Sequence, residues 1–166
     1  KRFKEAIKIY EKILKIDSKS IPAYIQMASI YLREKNFDKA MKLAKKSLLI
    51  KKENPGAYFI IGASLLAKGK VEEAIPNLQE AIKYNPTFAQ AHYVLAIAFY
   101  NYKHFEQAIA ECELAIRYNP KLIGPYVLSG ILYMRKKYYD NAIENLKKAI
   151  KFSPFNPYFH NLLGIA

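Results

Sequence analysis

Displaced by 34 residues, the sequence falls into register with itself. One position reads Ala28, Gly62, Ala96, Gly130, Gly164, and a second reads Ala6, Ala40, Ala74, Ala108, Ala142. Small residues recurring at one fixed spacing constrain the chain to copies of one structural unit, each packed on its neighbours. An aromatic or large apolar position (Phe3, Phe37, Val71, Phe105, Tyr139) and another (Tyr31, Leu65, Phe99, Tyr133) keep the same register. So do Pro86, Pro120 and Pro154, each preceded by an apolar and then a polar residue. Proline stops a helix there, because it cannot donate to the hydrogen-bond ladder.

Positions are numbered here from slot 1 at Ala89 to slot 34 at Leu122. Apolar residues at slots 4, 7, 8 and 11 have a helical period, and those at 17, 20, 21, 24, 27 and 28 make a second helix. The small slots then mark where the two helices cross, since an interaxial distance of about 8 to 10 Å excludes a large side chain. A hairpin of this size cannot bury its own apolar face, and stacking supplies the cover.

The pattern resembles the tetratricopeptide repeat (TPR) family. Its signature is matched by Tyr58, Ile61, Gly62, Leu65, Gly69, Val71, Ala74, Leu78, Ala81 and Pro86, and again in the following repeats. Lys52 departs from it at the proline slot, and Lys35, Lys103 and Lys137 depart from it at the turn glycine. The related pentatricopeptide repeat, which binds RNA, runs one residue longer, and this chain holds its period without a slip. The resemblance implies an all-α solenoid of stacked antiparallel helical hairpins forming a right-handed superhelix, used as a scaffold for protein interactions.

The expected organisation is one array over residues 1–166. It comprises a lone second helix at 1–18, complete repeats at 21–54, 55–88, 89–122 and 123–156, and the start of another at 157–166. Neither end shows a polar capping helix, so the chain is expected to be an excerpt from a longer array. Cys112, at a core slot, reads as a small buried apolar residue. Pro76 lies inside a second helix and should kink it or bend it outward, as a tolerated residue without a functional role. Because the same slot holds Lys42, Ala110 and Glu144, it should face solvent.

Formal net charge is +13, but the placement of charge matters more. Residues 20–32, 54–67, 84–102 and 122–134 hold no Asp, Glu, Lys or Arg. Each stretch contains a first helix, and a helix apolar nearly all round is a buried one. Slots 5, 9 and 12 make a second apolar stripe beside the core slots: Ile25, Ser29, Leu32; Phe59, Ala63, Leu66; Tyr93, Ile97, Tyr100; Val127, Ile131, Met134. In the resembling family these slots line the concave ligand groove. The expected partner is therefore a protein or peptide with apolar or aromatic anchors, held chiefly by Ile25, Leu32, Phe59, Leu66, Tyr93, Ile97, Tyr100, Val127, Ile131 and Met134. Self-association through the groove or the apolar ends is the alternative. The family's two-carboxylate clamp and its asparagine ladder are both missing, since the matching slots hold residues such as Phe59, Ala63, Val94 and Gly124.

Arg33, Lys35, Lys68, Lys70, Lys103, Arg135, Lys136 and Lys137 form a basic edge at helix ends. The helix dipole accounts for cations there; attraction to an acidic partner or an anionic surface is the functional alternative. Residues 1–54 hold 15 Lys and Arg against 6 Asp and Glu, so an anionic partner should prefer that third. A basic module for RNA or a membrane surface is the third reading. Neither nucleic acid nor a membrane is the expected partner, because aromatics and cations are segregated along the sequence and no membrane span is visible. His92 and His160 occupy slot 4, where Tyr24, Tyr58 and Tyr126 stand elsewhere, and so read as packing residues. No metal-ligand spacing and no nucleophile, base and acid set emerges. No catalysis and no cofactor is expected, and the sequence gives no cellular address.

Overall fold

The computed structural model describes residues 2–165, so the expected outer bounds at Lys1 and Ala166 lie outside the described residues. The described chain is all helix and turn. The helices are α1 (Arg2–Ile16), α2 (Ile21–Arg33), α3 (Phe37–Ile50), α4 (Pro55–Ala67), α5 (Val71–Tyr84), α6 (Ala89–Asn101), α7 (Phe105–Tyr118), α8 (Ile123–Arg135), α9 (Tyr139–Phe152) and α10 (Pro157–Ile165). They fall into two compact units, Lys1–Pro86 and Thr87–Ala166. In the first, α2 pairs with α3 and α4 with α5, while α1 packs on α2 and α3 on α4. In the second, α6 pairs with α7 and α8 with α9, while α7 packs on α8 and α10 on α9.

Every first helix ends in the same way. Lys35, Gly69, Lys103 and Lys137 take left-handed backbone angles, with φ of 58°, 76°, 61° and 62°. The next N–H, of Asn36, Lys70, His104 or Tyr138, donates back to the carbonyl of Tyr31, Leu65, Phe99 or Tyr133 at 2.8 to 2.9 Å. This bond closes the helix C-terminus in a Schellman turn, whose left-handed residue is usually glycine. The second helix starts immediately after, and the hairpin is tight for that reason.

The small slots lie at the crossings. Ala40, Ala74, Ala108 and Ala142 are all fully buried. A β-carbon on Gly62 would stand 2.7 Å from Leu78 Cγ and 3.2 Å from the Ala74 carbonyl oxygen; one on Gly130 would stand 2.9 Å from Leu146 Cγ. Where the first helix carries Ala28 or Ala96 instead, the facing slot 24 holds Ala44 or Cys112. Side-chain volume is thus exchanged across three of the crossings, Gly62 facing Leu78, Ala96 facing Cys112 and Gly130 facing Leu146, which keeps the interior filled there.

Pro76 does not interrupt α5, which runs unbroken for 14 residues, the length of α3, α7 and α9. The proline does not break the helix. Pro76, Lys42, Ala110 and Glu144 are all exposed, so the ring and the carbonyl it leaves unpaired face water.

Candidate protein-interaction face

The first helices are more enclosed than their core slots require. Slot 3 (Ala23, Ala57, Ala91, Pro125) and slot 10 (Ile30, Ser64, Ala98, Leu132) are buried as well, on a face that the sequence pattern did not distinguish. Ser64 is accommodated there because its hydroxyl donates to the Ile60 carbonyl at 2.7 Å. Burial on several sides explains most of the missing charge in these helices, since an unpaired buried charge is costly.

The stripe is what remains. In the first unit Ile25, Ser29 and Leu32 on α2 and Phe59, Ala63 and Leu66 on α4 are all half-buried. The same holds in the second unit for Tyr93, Ile97 and Tyr100 on α6 and Val127, Ile131 and Met134 on α8. Spacing of i, i+4, i+7 puts each trio on one side of its helix. The trios are also coupled between neighbouring first helices. Ile25 Cγ2 lies 3.5 Å from where a β-carbon on Gly56 would be, and the Tyr93 ring covers Gly124 so closely that a β-carbon there would fall 2.3 Å from Cζ. Gly124 thereby becomes the seat of Tyr93, and burial holds the Tyr93 hydroxyl above the ordinary phenol range, with a smaller push from Cys112. Tyr100 leans on Phe105, ring centroids 6.0 Å apart.

The basic edge is largely occupied within the fold. Arg33 lies over the Phe3 ring at 5.2 Å and Arg135 over Phe105 at 5.0 Å. Lys68 pairs with Asp38 at 2.6 Å and Lys136 with Glu106 at 3.0 Å. All four contacts reach 30 residues back, from a turn to the start of the preceding second helix. Lys70 pairs with Glu73 on its own helix. Lys35, Lys103 and Lys137 hold the left-handed turn position and are exposed. Exposed pairs of this kind stabilise by about 0 to 1 kcal/mol; what they favour is one register between repeats.

Slot 4 proves polar as well as packed. Tyr24 and Tyr126 donate to the carbonyls of Ser18 and Pro120, at 3.2 and 3.1 Å, and His160 Nε2 lies 2.7 Å from the Pro154 carbonyl. Each tip reaches six residues back and ties the preceding loop. His92 is buried, its Nδ1 2.6 Å from Glu111 Oε2 and its ring tilted over Tyr118. The sequence pattern missed this pair, although Glu111 stands where Leu43, Asn77 and Asn145 occur elsewhere. A carboxylate at that slot, opposite a histidine, was the available signal. Cys112 is fully buried, and burial pushes its thiol up to about 12, helped by the charges of Glu111 and Glu113. Among the described residues, no group of His, Cys, Asp and Glu is arranged to hold a metal ion, and no helix is long and apolar enough to cross a membrane.

A tetratricopeptide repeat model matches residues 89–122, and a TPR repeat model matches 62–102 and 130–166. Between them they span more than half of the chain, and the match at 89–122 covers the hairpin of α6 and α7. The chain belongs to the tetratricopeptide repeat family. The N-terminal half of this TPR protein, residues 1–81, also matches the model of anaphase-promoting complex, cyclosome, subunit 3. No curated protein matches it. Among solved structures it is similar to MamA, with 28% identity over 92% of this chain and 89% of that one, at a TM-score of 0.76. It shares the fold of TTC0263, a thermophilic TPR protein of Thermus thermophilus (19% identity, 99% and 90% covered, TM-score 0.79). It also shares that of YrrB, a TPR protein with an unusual peptide-binding site (22%, 96% and 82%, 0.71). TPR chains are typically non-catalytic scaffolds, and the fold points to protein–protein interaction.

Proposed function

We propose that this TPR protein is a non-catalytic scaffold whose first-helix stripes receive the apolar or aromatic anchors of a protein or peptide partner. The observation that carries the reading is the state of the stripe: twelve uncharged positions, apolar but for Ser29, all neither core nor fully exposed. A half-buried apolar surface of this kind gains from further cover, at about 25 cal/mol per Å². Because stacked helices already hold the side chains, little ordering cost falls on the receptor. YrrB, with its peptide-binding site, lends the reading support from the same fold.

The test is selection of peptides from a displayed library on the purified chain, followed by titration of one labelled peptide. Tyr100→Ala and Leu66→Ser should each weaken it by about tenfold, from the loss of one buried anchor, while thermal melts show the variants folded. Peptides that bind both variants as well as the parent would remove the stripe from consideration. Concentration-dependent mass abolished by the same substitutions would instead make the stripe a contact between copies.

A further inference from the structure

The outward side of α3 differs from that of every other second helix. Lys39, Lys42, Lys45 and Lys46 are all exposed there, one turn apart, opposite the buried Ala40, Ala44 and Ser47. Lys8 and Lys12 of α1 stand at the slots of Lys42 and Lys46, but Glu5 and Glu11 stand at those of Lys39 and Lys45, and the surface groove that Lys4, Lys8 and Lys39 share over Tyr31 also holds Glu11 and Glu34. The unbroken basic run is therefore that of α3. Within the same unit the outward side of α5 is acidic, with Glu72, Glu73 and Glu80, so the basic face is bounded and is no general property of the repeat. At its C-terminal end, one turn beyond Lys45 and Lys46, stands Leu49, 88% exposed, at a slot where the other second helices carry Lys15, Lys83, Arg117 or Lys151.

From this face we infer that α3 docks on the surface of an anionic lipid bilayer. Lysines suit the task, being point charges on flexible stems that need no fixed geometry in the headgroups. Lys39 and Lys46 are in part pre-positioned, their ammonium groups lying over the Tyr31 and Tyr24 rings at 5.2 and 5.9 Å. Leu49 decides between polyanions. A bare leucine among lysines gains nothing on a phosphate backbone, but at a bilayer it enters the boundary between headgroups and acyl chains. Single-stranded nucleic acid would call for open aromatic faces on the same stripe, whereas the nearby Tyr24 and Tyr31 rings are half-buried and lie under Lys46 and Lys39.

The experiment is co-sedimentation of the chain with phosphatidylcholine vesicles, with or without roughly one-third phosphatidylserine. Binding is expected only with the anionic lipid. The double variant Lys42→Glu, Lys45→Glu should lose about 30-fold or more, from about fivefold per lysine removed. Leu49→Ser should lose severalfold from vesicles while leaving any weak retention on duplex DNA unchanged. Absence of binding to the anionic vesicles overturns the proposal. So does Leu49→Ser binding as well as the parent, or duplex DNA displacing the vesicles at equal phosphate, which would mark the face as a general polyanion site. Helical circular dichroism of each variant verifies that the change is at the surface, since every substituted side chain is exposed.

Discussion

Leu78 fills the space that a β-carbon on Gly62 would need, its Cγ lying 2.7 Å from that point. The Ala74 carbonyl, 3.2 Å away, prevents the helices from moving apart at little cost. Gly62→Ala should therefore destabilise the chain by about 1 kcal/mol: overpacking costs about 1 to 3 kcal/mol and the gain in helix propensity returns about 1. Leu78→Cys alone leaves a cavity and should cost about 2 kcal/mol. Together the two recreate the pair Ala96 and Cys112 found elsewhere in the chain. The double variant should thus be more stable than the sum of the singles by at least about 1 kcal/mol, measured by urea unfolding. Additive losses would mean that the two sites do not compete for one volume.

Lys103 holds a left-handed backbone, φ 61°, where Gly69 holds the same turn without steric cost. Lys103→Gly should stabilise the chain by about 0.5 to 1 kcal/mol, the relief of left-handed strain exceeding the extra entropy of glycine in the unfolded chain. Lys103→Ala should not. A higher melting temperature for the glycine variant alone is the expected readout; equal melting of both would show that the turn carries no strain.

Cys112 ionises in the unfolded chain near 9.0 but is held protonated by burial up to about 12 in the folded one. A raised thiol pKa favours the folded state fully below pH 9 and progressively less above it, because only the unfolded chain gives up its proton there. Stability should therefore fall by about 1.4 kcal/mol per pH unit between those limits. That slope should appear as the difference between the parent and Cys112→Ala, because Tyr93 and the other raised groups titrate in both. At neutral pH the folded thiol should resist alkylating reagents until denaturant is added, because the reactive thiolate is suppressed and buried.

Gly124 is where the Tyr93 ring rests. Gly124→Ala should displace that ring, costing stability by about 1 to 2 kcal/mol and altering the stripe at the same time. A peptide selected on the parent chain should lose affinity for Gly124→Ala, and the assigned Tyr93 ring resonances should shift in the NMR spectrum. Unchanged shifts and affinity would show that the ring yields without consequence.

The period, the helical hairpins, the crossing slots and the uncharged first helices were all legible in residue spacing. Spacing along a helix states which side chains share a face, and those features need nothing more. Which neighbour covers a face is a different matter. Slots 3 and 10 carry nothing more distinctive than Ala, Ser, Ile, Leu and Pro, and only packing shows them as core. The cations that reach 30 residues back to Phe3, Asp38, Phe105 and Glu106 looked like an open basic edge until the turns were seen against the preceding helices. The pairing of His92 with Glu111 and the seating of Tyr93 on Gly124 likewise depend on two helices meeting at one height. Local periodicity, set by backbone hydrogen bonding, determined the elements; the tertiary structure decided which side chains are enclosed and which stay half-buried, because burial depends on what lies across the interface, which no spacing within one helix encodes.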